Sequence, residues 1–140
     1  MRETYWQHYA HPADMGIRGI GPTKEAAFAQ AALAMTAVIC DPATISPRDR
    51  VVIRCEETDD ELLLMTWLNS LLYEMDSRRM LFSRFDLSIE AGRLTANAWG
   101  EQVERSKHQP AVEVKAATLA DLKVEQGATG NWVAQCIVDV

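Results

Sequence analysis

A chain of 140 residues with 48% apolar and 24% charged residues can bury one hydrophobic core, and its composition is too ordinary for intrinsic disorder. Its net charge of −6, with no segment that concentrates lysine and arginine among aromatics, argues against tight autonomous binding to nucleic acid or an anionic membrane. Cys40, Cys55 and Cys136 are odd in number, far apart and set in apolar runs, which suits reduced core thiols in a cytosolic protein better than a disulfide or zinc framework. The opening MRETYWQH lacks the apolar stretch of a signal peptide, and the longest apolar runs are too short and amphipathic to span a bilayer.

In chain order, residues 3–9 (ETYWQHY) and 15–20 (MGIRGI) read as short strands flanking a loop, HPADMGI. Pro12, Asp14 and Gly16 suit a turn, since proline presets φ, aspartate bonds its own backbone and glycine tolerates strained dihedrals. His11 has no such explanation. From Thr23, a predicted N-cap, Phe28, Ala31, Ala32, Met35, Val38 and Ile39 recur at helical spacing, and Asp41, Pro42, Ser46 and Pro47 end that helix. VVIRCE at 51–56 is a β-branched strand. Thr58 and Glu61 have capping-box spacing and open a second helix with a stripe of Leu64, Trp67, Leu68, Leu71, Leu72 and Met75 that faces the core.

After Ser77 the pattern is all strand: FDLSIE, a turn at Ala91 and Gly92, RLTANAWGE, then VEVKAAT at 112–118. DLKVE and NWVAQCIVDV flank GATGN, which has hairpin chemistry, and Trp132, Ala134, Cys136 and Val138 share a face. The order predicts one α+β domain over residues 1–140, a two-layer sandwich of two amphipathic helices on a largely antiparallel sheet. Phe28, Met35, Leu64, Leu68, Leu71 and Trp132 are its expected core.

The last strand ends at Asp139 and Val140, delivering a side-chain carboxylate and an α-carboxylate to one strand tip. With Asp14 they form three acidic groups that repel one another unless protons or a cation intervene, and oxygen ligands of this kind suit calcium or magnesium rather than zinc. Residue types alone leave two readings open, a cation site or ordinary turn aspartates and a frayed end. A metal-dependent hydrolase centred on Asp14 and Asp139 is disfavoured, because the chain offers no paired nucleophile and base, no Gly-rich phosphate loop and no HExxH-like spacing. Lys115, His108 and Glu113 read as solvated face residues.

Five segments in register, His11-x-Ala13-Asp14-x-Gly16-Ile17, DDELLLMTWLNSLLYEM at 59–75, GE at 100–101, EVKAAT at 113–118 and the terminal VDV, together resemble the archease family over almost the whole chain. The resemblance implies a small α+β protein, not itself an enzyme, that activates the GTP-dependent RtcB-type RNA ligase of tRNA splicing and RNA repair by promoting its guanylylation and turnover. A wider role as chaperone or specificity modulator of RNA-processing enzymes such as tRNA methyltransferases is the alternative it carries. It also implies a divalent-cation site, with calcium first and magnesium or manganese as alternatives. Asp14, Asp139 and Val140 would be the ligands, Val140 through a backbone or terminal carboxylate oxygen. His11 and Lys115 are implied as neighbours of that site or partner contacts, while self-association is left open. The chain departs from the family pattern at Pro12, where threonine is frequent, at Ser70 for glutamate, and at Leu119-Ala120 for Tyr-His. None of these is an implied ligand.

Overall fold

A computed structural model describes residues 3–140. Strands β1 (Tyr5–His11) and β2 (Asp14–Gly21) form a hairpin, followed by α1 (Lys24–Ile39) and a 3-10 turn at Pro42–Thr44. Strand β3 (Asp49–Glu56), α2 (Asp60–Arg78), β4 (Met80–Glu90) and β5 (Arg93–Gln102) come next. The chain closes with a four-residue helix α3 (Arg105–His108) and strands β6 (Ala116–Ala117), β7 (Lys123–Gln126) and β8 (Trp132–Asp139). The α+β class is as expected, and every strand pairing is antiparallel.

The strands divide into two sheets. In one, β8 is central, with β2 and then β1 on one side and β7 and β6 along the other; in the second the order is β3-β5-β4. Helix α1 packs against β2 and β8 of the first sheet and β4 of the second, so it is apolar on more than one side. Gly19 lets it come close, because a Cβ there would strike the backbone of Ala27 and Ala31. Helix α2 buries Leu63, Leu64, Trp67, Leu68, Leu71 and Met75, and the Trp67 indole N–H donates to the Phe28 carbonyl at 3.2 Å. Leucines at this spacing form one face because residues three and four apart lie side by side on a helix. Among the described residues, no helix is long and apolar enough to cross a membrane. All three cysteines are free and buried, and burial raises each thiol above its usual range, that of Cys136 to about 12.

Several local expectations need correction. Thr23 caps α1 as predicted, its Oγ1 accepting from the Ala26 amide at 3.0 Å. The cap of α2, however, is Asp59, whose Oδ1 accepts from the Glu61 and Leu62 amides, one residue beyond the Thr58 expected. A carboxylate is the stronger acceptor at a helix N-terminus. Trp132 lies at the margin of the core, half-buried with the Lys24 ammonium 5.1 Å from its ring centroid. The expected strand over 112–118 shrinks to Ala116–Ala117, and β4 begins five residues before FDLSIE, at Met80, with a bulge at Ser83. His108 is buried in α3, not a solvated strand residue, whereas Glu113 and Lys115 are exposed.

Candidate functional site

The opening loop contracts to a two-residue connection, Pro12–Ala13, with His11 paired to Asp14 across the hairpin. Proline fixes a negative φ at the first turn position, and Ala13 takes a positive φ of 67° at the second. Asp14 is therefore the first residue of β2 and has no turn to stabilise. Gly16 is not a turn residue either. The Tyr9 ring lies over it, and a Cβ at this position would enter that ring.

Register assembles the site. Met15 pairs with Val138, so continuing that ladder by one residue sets Asp14 opposite Asp139, and Asp139 pairs on its other side with Ala116. One row thus crosses four strands as His11, Asp14, Asp139 and Ala116. Facing side chains in such a row lie on the same side of a sheet, with Cβ atoms roughly 5 Å apart. Asp14 is half-buried, while His11 and Asp139 are exposed. Neither aspartate side chain has an ion pair or hydrogen bond among the described residues. The Lys115 amide donates to the Asp139 carbonyl at 2.8 Å, fixing the strand end beside Val140. The described residues contain no group of three or more His, Cys, Asp or Glu side chains that could hold a metal. What the rim offers is a pair of facing carboxylates, an open set of hard oxygen donors.

Behind this row the sheet's outer face is braced. Tyr9 donates to Asp121 Oδ2 at 2.7 Å, and Arg18 sits 4.4 Å from the Tyr9 ring centroid. Arg18 donates in turn to Gln135 Oε1 and Gln7 Oε1 at 2.8 and 2.7 Å. Partial burial, and then the bond to Asp121, raise the Tyr9 phenol above its usual range against the pull of Arg18. On the other flank, Asn69 of α2 clasps Ala117, accepting its amide at 2.8 Å and donating to its carbonyl at 3.2 Å, so the free edge of β6 is satisfied. An open groove of about 800 Å³ runs from Tyr73 and Val112 to Asn69 and Lys115, ending beside the rim.

Glu101 forms a second carboxylate site. Its Oε2 accepts from Lys107 Nζ at 2.7 Å, from the Ser46 amide at 2.9 Å and from His108 Nε2 at 2.9 Å. The Glu104 amide can only donate, and it donates to His108 Nδ1 at 2.9 Å, so Nε2 carries the proton that Glu101 accepts. Lys107, then the Ser46 amide and His108, hold the Glu101 carboxyl down at about 2 although burial opposes them. This knot ties α3 and the loop before β3 to β5. Neither Glu101 nor Tyr9 was singled out as a site residue from sequence. For Tyr9 the signal is strand alternation, which sets it on the face of His11; Glu101 carries only the GE pair at 100–101.

A profile of the Archease protein family (MTH1598/TM1083) matches residues 6–140. The chain is 41% identical over 139 residues to the protein archease of Pyrococcus furiosus, covering 96% of this chain and 98% of that one, and 36% identical over 138 residues to that of Sulfurisphaera tokodaii. Its fold superposes on the solution structure of Methanobacterium thermoautotrophicum protein 1598 with a TM-score of 0.85 at 29% identity, covering 96% and 98% of the two chains. A Thermotoga maritima crystal structure, described as an archease and possible chaperone, gives 0.60 at 16% identity, a likeness of fold alone. The small α+β protein defined by these two sheets and this acidic rim belongs to the archease family.

Proposed function

We propose that this protein is a non-enzymatic cofactor that activates a GTP-dependent RtcB-type RNA ligase in tRNA splicing and RNA repair, working through a divalent cation held by Asp14, Asp139 and Val140. The observation that carries this reading is the pairing of two acidic side chains, from opposite ends of the chain, with no partner among the described residues. Other motif residues have work inside the fold: Gly16 lies under Tyr9, Gly100 against the Leu81 carbonyl, Asn69 on Ala117, and Glu101 in its knot. The two aspartates have none, and side by side they repel.

The donor set suits calcium, with magnesium or manganese as alternatives. A bound cation would supply Lewis-acidic charge in an open coordination shell. Calcium takes about six to eight oxygens, so two carboxylates and an oxygen of Val140 leave places for water or for groups of the ligase. Asp14 and Asp139 supply the negative charge, the hairpin and the Lys115–Asp139 bond orient them, and the acidic surface speeds encounter with a basic enzyme. A cytosolic location accompanies this role. The broader reading, a chaperone or specificity modulator of RNA-processing enzymes such as tRNA methyltransferases, draws on the description of the Thermotoga protein and on the groove edged by exposed Tyr73, Val103 and Val112.

A guanylylation and multiple-turnover ligation assay with the ligase of the same organism tests the proposal. Stimulation by the wild-type protein, lost in folded Asp14→Ala and Asp139→Ala, is the expected result. Wild-type stimulation by either variant defeats the cation mechanism, and no stimulation by the wild type moves the weight to the broader reading.

A further inference from the structure

The three-stranded sheet buries one face under the helices and leaves the other bare. On that bare face, register aligns Arg50 of β3, Trp99 of β5 and Arg84 of β4 in one cross-strand row. The Arg84 guanidinium lies 4.5 Å from the Trp99 ring centroid. Arg54 follows Arg50 on the same face, about 13 Å along the strand. Arg50 and Arg54 are exposed and make no ion pair among the described residues. Among the described residues, alternation puts two acidic residues at this end of the face: Asp86, 3.4 Å from Arg84, and Glu101, which is buried and bonded to Lys107, His108 and the Ser46 amide. Glu56 and Glu90 lie at the far end, where Glu56 meets Arg93, and Glu74 of α2 shares an open pocket with Arg54 at the β3 edge. Asp49 belongs to the opposite side by strand alternation. In a chain of net charge −6 this is a local reversal of sign around an aromatic ring. No sequence run reveals it, because the residues come from three strands.

We infer that this face binds single-stranded RNA, with a base stacked against the Trp99–Arg84 pair and phosphates held by Arg50 and Arg54. An acidic peptide would satisfy the arginines but has no group for the ring at their centre, whereas a splayed base stacks on both an indole and a guanidinium plane. Duplex RNA hides its bases and offers the ring nothing. With only three arginines engaged, binding is weak and salt-sensitive, in keeping with the absence of any basic run. The surface lies on the other sheet from Asp14 and Asp139, so it is independent of the cation site.

Fluorescence anisotropy with a short labelled single-stranded RNA of mixed sequence tests it. Two phosphate contacts predict a slope of roughly −1.4 in log affinity against log salt between about 50 and 200 mM. The double variant Arg50→Glu/Arg54→Glu and the single variant Trp99→Ala should each lose about tenfold or more in affinity. Trp99→Tyr should retain most of it, and Asp14→Ala should bind like wild type. Circular dichroism melts check folding, and if Trp99→Ala proves unfolded, the arginine variant and Trp99→Tyr decide. No binding at the low-salt end, undiminished binding by the arginine variant, or equal competition by a polyglutamate peptide would overturn the assignment.

Discussion

Two carboxylate sites in this molecule have opposite fates. Glu101 is 7% exposed and its Oε2 receives three donors from the protein itself. Asp14 and Asp139 stand together on a sheet rim and receive none among the described residues. A buried charge must be paired, so the chain spends Lys107, His108 and the Ser46 amide on Glu101. A pair of like charges left bare at a rim is a cost to the fold, one that makes sense if a cation from outside completes it. The difference separates an acidic residue that holds the archease fold together from two that the fold leaves without a bonding partner among the described residues.

The largest expected effect lies at the knot. His108→Ala should destabilise by about 3 kcal/mol, since it removes a buried ring and strands the Glu104 amide. Denaturant melts measure this, and a loss under about 1 kcal/mol would break the contrast between the two sites. Acid titration sharpens it. The Glu101 carboxyl sits at about 2 in the folded protein against an ordinary 4.5, so its contribution is fully present above the ordinary value and is lost as pH falls through the folded one. Glu101→Gln should flatten the stability profile between these limits. An unchanged profile would mean the donors do not act on the carboxylate.

At the rim, Asp14→Ala and Asp139→Ala should each change stability by less than about 1 kcal/mol without added metal, because neither side chain has a bonding partner among the described residues. A larger loss would make them structural, like Glu101. Smaller still is Ala13→Gly, expected to raise stability by about 0.5 kcal/mol by relieving a positive φ while leaving the carboxylates in place. Thermal melts resolve both.

Much of the fold was legible because periodicity survives without neighbours. The α2 stripe, the Thr23 cap and the GATGN hairpin depend on residues close in sequence. Thr58 misled because Asp59 beside it is a better acceptor. Trp132 misled because alternation assigns a face but not a distance from the sheet's end. The division into two sheets was not legible, since nothing local says which strands pair. The same limit governs the sites: Asp14 and Asp139 are 125 positions apart, and only the β2–β8 register sets them side by side. Alternation within β1 places Tyr9 on the face of His11, yet its partner Asp121 comes from a distant loop. His108 looked like a surface residue because the turn of helix that buries it is four residues long, below the reach of any hydrophobic pattern.

Calcium binding to the isolated protein tests the acidic rim most directly. Titration calorimetry should detect one site in the wild type, lost in both Asp14→Ala and Asp139→Ala and weakened when Val140 is deleted, with all three variants still melting cooperatively. Equal calcium affinity in either aspartate variant would contradict the account: the facing carboxylates would then be neighbours in the sheet and not ligands of a shared ion.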